Sequence, residues 1–240
     1  MKKFELTSDF ITNIFGTKLF RIRALVEFGS VKVGELGGYI EKEENLSQDG
    51  DAWVCGNAEV CGNAEVYGNA KVYGDAKVYG DAEVYGDAKV YGNAKVYGNA
   101  EVCGNAEVYG DAKVYGDAEV YGDAWVYGDA KVYGNAEVYG DAEVYGDAWV
   151  YGDAWVYGDA KVYGDADYAY VHGFGSCFRT TTFFRLKDGG VGVRCGCFYG
   201  TLQEFRDKVR KTHGETKKAR EYLMVADLME LKFSKEDTEE

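Results

Sequence analysis

The chain has 240 residues, among them 33 Gly, 21 Tyr, 6 Cys and no Pro, and a formal charge of −14. Its length suits one or two domains. No stretch approaches the ~18 consecutive apolar residues of a membrane-spanning helix, and an acidic body repels the phosphates of nucleic acid rather than attracting them.

The N-terminal stretch MKKFELTSDFITNIF places Glu5 and Asp9 where a secretory signal needs an apolar core. A cytoplasmic location is therefore expected. With it go reduced thiols at Cys55, Cys61, Cys103, Cys177, Cys195 and Cys197. KLFRIRALVEF, residues 18–28, reads as a strand, and GELGGYIEKEENLSQDG leads into the repeat that follows. Residues 1–50 are expected to cap the end of that repeat.

From Asp51 to Gly164 the sequence is nineteen unbroken hexads of the form Asp/Asn-Ala-x-Val-Tyr-Gly, followed by a degenerate twentieth, DADYAY. Ala-x-Val predicts a three-residue strand with Ala and Val on one face and x on the other. Gly with Asp or Asn supplies the residues that tolerate left-handed corners. A strand and a corner recurring at period six describe a parallel β-helix. Residues 51–164 hold 7 Lys against 12 Asp and 8 Glu, a net charge of −13, so nearly all of the acidity lies in the repeat.

The third letter of the hexad tests the number of strands per coil. Taking every third hexad gives a column of Glu65, Glu83, Glu101, Glu119, Glu137 and Trp155. The next column is Glu59, Lys77, Lys95, Lys113, Lys131 and Trp149; the third mixes Trp53, Lys71, Lys89, Glu107, Trp125, Glu143 and Lys161. One corner column alternates Asn63, Asp81, Asn99, Asp117, Asn135, Asp153 without error. An 18-residue coil explains both patterns, since stacked strands lie ~4.8 Å apart and an amide between two carboxylates can donate to one of them. The coils would form a rod of roughly 30 Å at that spacing. Trp53 would open the prism and Trp149 and Trp155 close it, packing under the caps. Cys55, Cys61 and Cys103 take Tyr positions as small apolar substitutes.

In the tail, TTTFFRLKDGGVGVRCGCFYG reads as two alternating strands around Lys187-Asp188-Gly189-Gly190. Val191, Val193, Cys195 and Cys197 would share one strand face. Thr201 and Glu204 fit a capping box that opens a helix, Gly214 ends it, and KKAREYLMVADLMEL gives a second helix. The expected architecture is mainly β: a cap over 1–50, a β-helix with three hexads per coil over 51–170, and a small ββαα domain over 171–240.

The hexads resemble the left-handed β-helix, hexapeptide-repeat family, whose aliphatic residue at i and small residue at i+4 match Val and Ala throughout. Gly falls one place later here than in that family, with Tyr or Cys before it. Together with LGGYIEKEENLSQDGDAWV, CGCFYGTLQEF and THGETKKAREYL, the repeat also resembles GNA/GDA-repeat proteins of bacteria and their phages and prophages. This second resemblance covers essentially the whole chain. It implies an accessory protein, not a known chemistry. The first resemblance makes a hexapeptide-repeat acyltransferase the alternative reading, but those enzymes use a His base at the prism wall. His172 and His213 both lie beyond the hexads, which contain no Ser or Thr either.

Zinc at Cys177, Cys195 and Cys197 is disfavoured, because one residue between Cys195 and Cys197 is shorter than the usual two to four. No catalytic residue, metal or cofactor is expected. The chain reads instead as a non-catalytic rod that binds a protein partner, such as a host nucleic-acid-binding or defence protein, or associates with itself. The candidate binding residues are Glu65, Glu83, Glu101, Glu119, Glu137, Lys77, Lys95, Lys113, Lys131, Trp149 and Trp155. Direct binding of nucleic acid or membrane is not expected. A net −13 along roughly 30 Å is about one charge per ~2.3 Å, near the ~1.7 Å of duplex DNA. Ordinary solubility explains that acidity; mimicry of DNA by the Glu65–Glu137 wall is the alternative, with the Lys77–Lys131 wall counting against it.

Overall fold

The structure is a computed structural model that describes residues 2–174 and 179–234; Cys177 lies outside them. The protein is mainly β, a parallel β-solenoid of about seven turns that ends in a small antiparallel four-stranded sheet and two helices. Each coil contributes one strand to each of three walls, and partners are 18 residues apart. Glu101 pairs with Glu83 and Glu119, Lys95 with Lys77 and Lys113, and Glu107 with Lys89 and Trp125. All three columns read from the sequence are therefore physical neighbours along a wall.

The core follows from the two fixed apolar letters. Every Ala and Val of the nineteen hexads is fully buried inside the prism. At the corners from Gly56 to Gly158 a Gly sits at positive φ, and from Asn57 to Asp129 the next residue donates its N–H to the Gly carbonyl one coil on, as Asn99 does to Gly116 at 2.8 Å. Gly98 has φ +77°, and a Cβ there would lie 2.9 Å from the backbone nitrogen of Gly116. Only Gly meets both requirements.

The lower rim is closed by β1 (Phe4–Thr12), β2 (Lys18–Ala24) and β3 (Leu36–Ile40). β1 and β2 form an antiparallel hairpin, β2 pairs antiparallel with β3, and β3 runs parallel to the strand at Glu59–Val60. β3 thus converts the hairpin's direction into that of the coil. Trp53 is buried there against Phe4 and Phe28, as its rim position suggested. Lys3 is buried as well, with its ammonium donating to the carbonyls of Asp49, Gly50 and Ala52.

At the upper rim the degenerate hexad 165–170 adds no further coil. It lacks the Val and the corner Gly; instead a 3-10 turn forms at Asp165–Asp167 and Tyr168 enters an antiparallel sheet. The expected hairpin is present as Arg179–Arg185 and Val191–Cys195. It is flanked by two strands that alternation alone did not mark, Tyr168–Phe174 and Phe198–Thr201. Neighbouring Phe residues divide the work of this sheet. Phe184 faces down into the prism core, and Phe183 faces up against Phe205, Val209, Tyr222 and Met229. The helices are α1 (Leu202–His213) and α2 (Lys217–Phe233), with the capping box at Thr201 and Glu204 formed and Gly214 at the end of α1. Among the described residues, no helix is long and apolar enough to cross a membrane.

Cys197 departs from expectation. Gly196 adopts φ +55° and ends the strand, so Cys197 sits exposed in a turn instead of on the inward face. Cys195 is half-buried, and its sulfur accepts the Thr181 hydroxyl at 3.1 Å.

Candidate functional site

The x positions point outward and make three chemically distinct walls. On the first, Glu65, Glu83, Glu101, Glu119 and Glu137 form one continuous ladder that ends at Trp155. Like charges this close repel, and the structure shows what offsets it. The Tyr at each corner reaches forward one coil and donates its phenol to the next Glu: Tyr67 to Glu83 at 2.6 Å, Tyr85 to Glu101 at 2.9 Å, and Tyr121 to Glu137 at 3.0 Å. Where Cys103 replaces Tyr, Glu119 has no such donor. Burial, with Glu137 and Glu101 alongside, raises its carboxyl above the usual range.

The second wall carries Glu59, Lys77, Lys95, Lys113, Lys131 and Trp149 in register. Its ends are paired: Lys77 bonds Glu59 at 2.7 Å, and the Lys131 ammonium lies 3.9 Å from the centre of the Trp149 ring. Among the described residues Lys95 and Lys113 have no ion-pair partner. Trp149 does not pack under the cap as expected. It is exposed: the closing sheet meets this wall past it, where the Tyr168 hydroxyl accepts the Tyr151 backbone N–H, and meets the other two where Thr182 accepts the Trp155 backbone N–H and Leu186 bridges Ala160. Trp155 is half-buried beneath the Arg194 guanidinium.

The third wall is largely self-neutralising. Lys89 pairs with Glu107 at 2.8 Å, and Lys161 and Lys187 both approach Glu143. Burial pushes the Glu107 carboxyl up, yet the Lys89 ammonium and the Tyr91 phenol together hold it below the usual range. At the corners all seven Asn residues of the hexads donate to the Asp one coil on, at 2.7–3.1 Å. Later in the rod the amides run out in two columns, so Asp111, Asp129 and Asp147 stack beside Lys113 and Lys131 with no Asn between them.

Two features escaped the sequence reading. One is the Tyr-to-Glu relay, although its signal was present as the constant order x-Val-Tyr. The other is the tip of the β1–β2 hairpin, where Ile14 and Phe15 are 90% and 74% exposed. The tip overhangs the basic wall and lines a recess with Cys61, Lys77, Tyr79 and Lys95. Nothing in the sequence said that the hairpin would lie along this wall.

Of the groups considered for chemistry, His172 is exposed with Nδ1 3.0 Å from the Thr180 hydroxyl, and His213 stacks on Tyr222 at the end of α1. Among the described residues no three His, Cys, Asp or Glu side chains are placed to hold a metal ion. Burial raises the thiols of Cys55, Cys61 and Cys103, which keeps them poor nucleophiles. The sequence matches no known family and no curated protein.

Proposed function

We propose that this chain is a non-catalytic interaction protein whose acidic wall is the recognition surface, and that its coil belongs with the left-handed hexapeptide solenoids. The observation that supports the reading is the Glu65–Glu137 ladder. Five carboxylates are held in parallel register by the backbone, and three of them are braced by phenols. Charges fixed in advance lose little freedom on binding, which favours affinity. A partner with a basic groove of the kind that grips duplex nucleic acid fits such a line, and an accessory role against a host protein of that kind is the setting we infer.

The test is to convert Glu83, Glu101 and Glu119 to Lys and measure binding to the captured partner across a salt series. Loss of binding in the variant, with wild-type affinity that falls steeply as salt rises, supports the reading. Unchanged, salt-insensitive binding overturns it, as does thermal stabilisation of the chain by an acyl-CoA.

A further inference from the structure

The outer face of α2 does not look like a solvated helix surface. Met224, Leu228 and Leu231 are 71%, 56% and 72% exposed. Their spacing of four and then three residues puts them on one stripe at roughly 100° per residue. That stripe lies opposite the face formed by Ala219, Tyr222, Val225, Ala226, Met229 and Phe233, which is already buried against the sheet and α1. A surface helix normally turns charged and polar residues outward on that side. A contiguous apolar stripe on a helix marks an interface.

We propose that this stripe is a two-fold contact in which α2 packs antiparallel against α2 of a second copy of the chain. The stripe is complementary to itself. About a midpoint near residues 227–228, Met224 meets Leu231 of the partner subunit, and Leu228 lies beside the axis. The bordering charges agree. Glu221, which already lies 3.8 Å from Lys217 in its own helix, and Lys232 flank the stripe on the same side, so the two-fold axis brings Glu221 within reach of Lys232 of the partner subunit, twice over. On the other border Asp227 falls near the axis, where it pairs at 2.9 Å with Arg206, a guanidinium it shares with Glu230. A parallel two-fold pair would carry Glu221 and Lys232 of the partner subunit to the opposite border of the seam, and so could not pair one with the other. The coil walls match the stripe less well, because most of their outward positions carry Glu and Lys and the exposed Trp125 and Trp149 stand on different walls. Such a dimer would hold two rods at one hub and so present two copies of every wall, which raises the apparent affinity for a repetitive or dimeric partner.

The contact involves one helix face per copy, at the small end of specific interfaces, so micromolar dissociation is expected. The experiment is sedimentation velocity on the full chain from about 1 to 500 μM, in about 0.5 M salt to screen wall-to-wall attraction. The mass is expected to rise from 26.5 kDa to twice that value across the series. Leu228→Glu alters an exposed side chain, so the fold should survive; the variant is expected to weaken dimerisation at least tenfold with an unchanged melting temperature. Glu221→Lys and Lys232→Glu should each weaken it severalfold, and the double swap should restore it. A chain that stays monomeric, or a dimer that Leu228→Glu leaves intact, overturns the contact. A dimer that the double swap fails to rescue overturns the antiparallel arrangement.

Discussion

The Tyr67 hydroxyl donates to the Glu83 carboxylate at 2.6 Å, joining one coil of the solenoid to the next on its outer surface. Burial, and then this bond, push the Tyr67 phenol far above its usual value, and Tyr91 and Tyr121 shift the same way for the same leading cause. Tyr127 is raised to about 12, again chiefly by burial. The native phenols therefore keep protons that the unfolded chain gives up near pH 10. Their contribution is complete below that pH and is lost as pH rises through the native values. Titration followed by phenolate absorbance is expected to show a delayed, cooperative rise that coincides with loss of the β signal. Independent ionisation of most Tyr residues near pH 10, with the fold intact, would contradict the relay.

Cys103 interrupts that relay and also the ring stacking of its column, in which Tyr67 stacks on Tyr85 and Tyr121 on Tyr139. The other coils of this column accept Tyr in the same register, so Cys103→Tyr should fit. It is expected to add a stacked ring and to give Glu119 a donor, worth about 1 kcal/mol together. The Glu119 carboxyl should also fall toward the ordinary range. Denaturant unfolding reports the first effect and carboxyl NMR titration the second.

The corner ladder predicts the opposite sign for a smaller change. Asn99 donates to Asp117 at 2.7 Å, and Asn63 donates to Asp81 in the coil below. Asn99→Asp removes the amide and stacks three carboxylates. A loss of about 1 kcal/mol is expected, shrinking in high salt because the residues are exposed. A loss that does not change with salt would mean that the repulsion is not its cause.

How much of this was legible in advance depended on where the information lay. The coil was legible because one hexad repeats: the order Ala-x-Val and the Gly after Tyr determine burial, register and corner together, and the sorting of Glu65–Glu137 into one column revealed three strands per coil. The helices were legible from local signals at Thr201, Glu204 and Gly214. The flanking strands of the C-terminal sheet were not. Phe198–Thr201 is four residues long and exists because the edge at Val191–Cys195 needs a partner, which is a tertiary demand. The exposure of Trp149 and the approach of Ile14 and Phe15 to the basic wall depend on how the caps sit on the rims, and no local pattern encodes that.

Corner glycines and the hairpin glycine should separate in cost. Gly16 at the hairpin tip has φ +83° and open space where a methyl group would sit, whereas Gly98 combines positive φ with a backbone neighbour at 2.9 Å. Gly16→Ala is expected to lose about 1 kcal/mol from conformation alone. Gly98→Ala should lose several times as much, because the stacked coil must move. Equal losses in urea unfolding would show that the coil spacing gives way easily.

The buried Lys3 gives the last prediction. Burial lowers its ammonium to about 8, against the pull of Asp51 and Asp49. Between that value and its ordinary one near 10.4, the unfolded chain binds a proton that the native chain has released. The sign is thus fixed: in this window the Lys3 contribution to stability increases with pH, and below about pH 8 the native state carries the full cost of burying the charge. Lys3→Met removes both the titration and the donors to the carbonyls of Asp49, Gly50 and Ala52. Comparing the two chains cancels the tyrosines and other titrating groups they share. The stability of the wild type relative to Lys3→Met is expected to climb from pH 7 to pH 10 by an amount on the order of 2 kcal/mol. A flat difference over that range would mean that Lys3 stays charged in the folded protein, held by Asp49 and Asp51 after all.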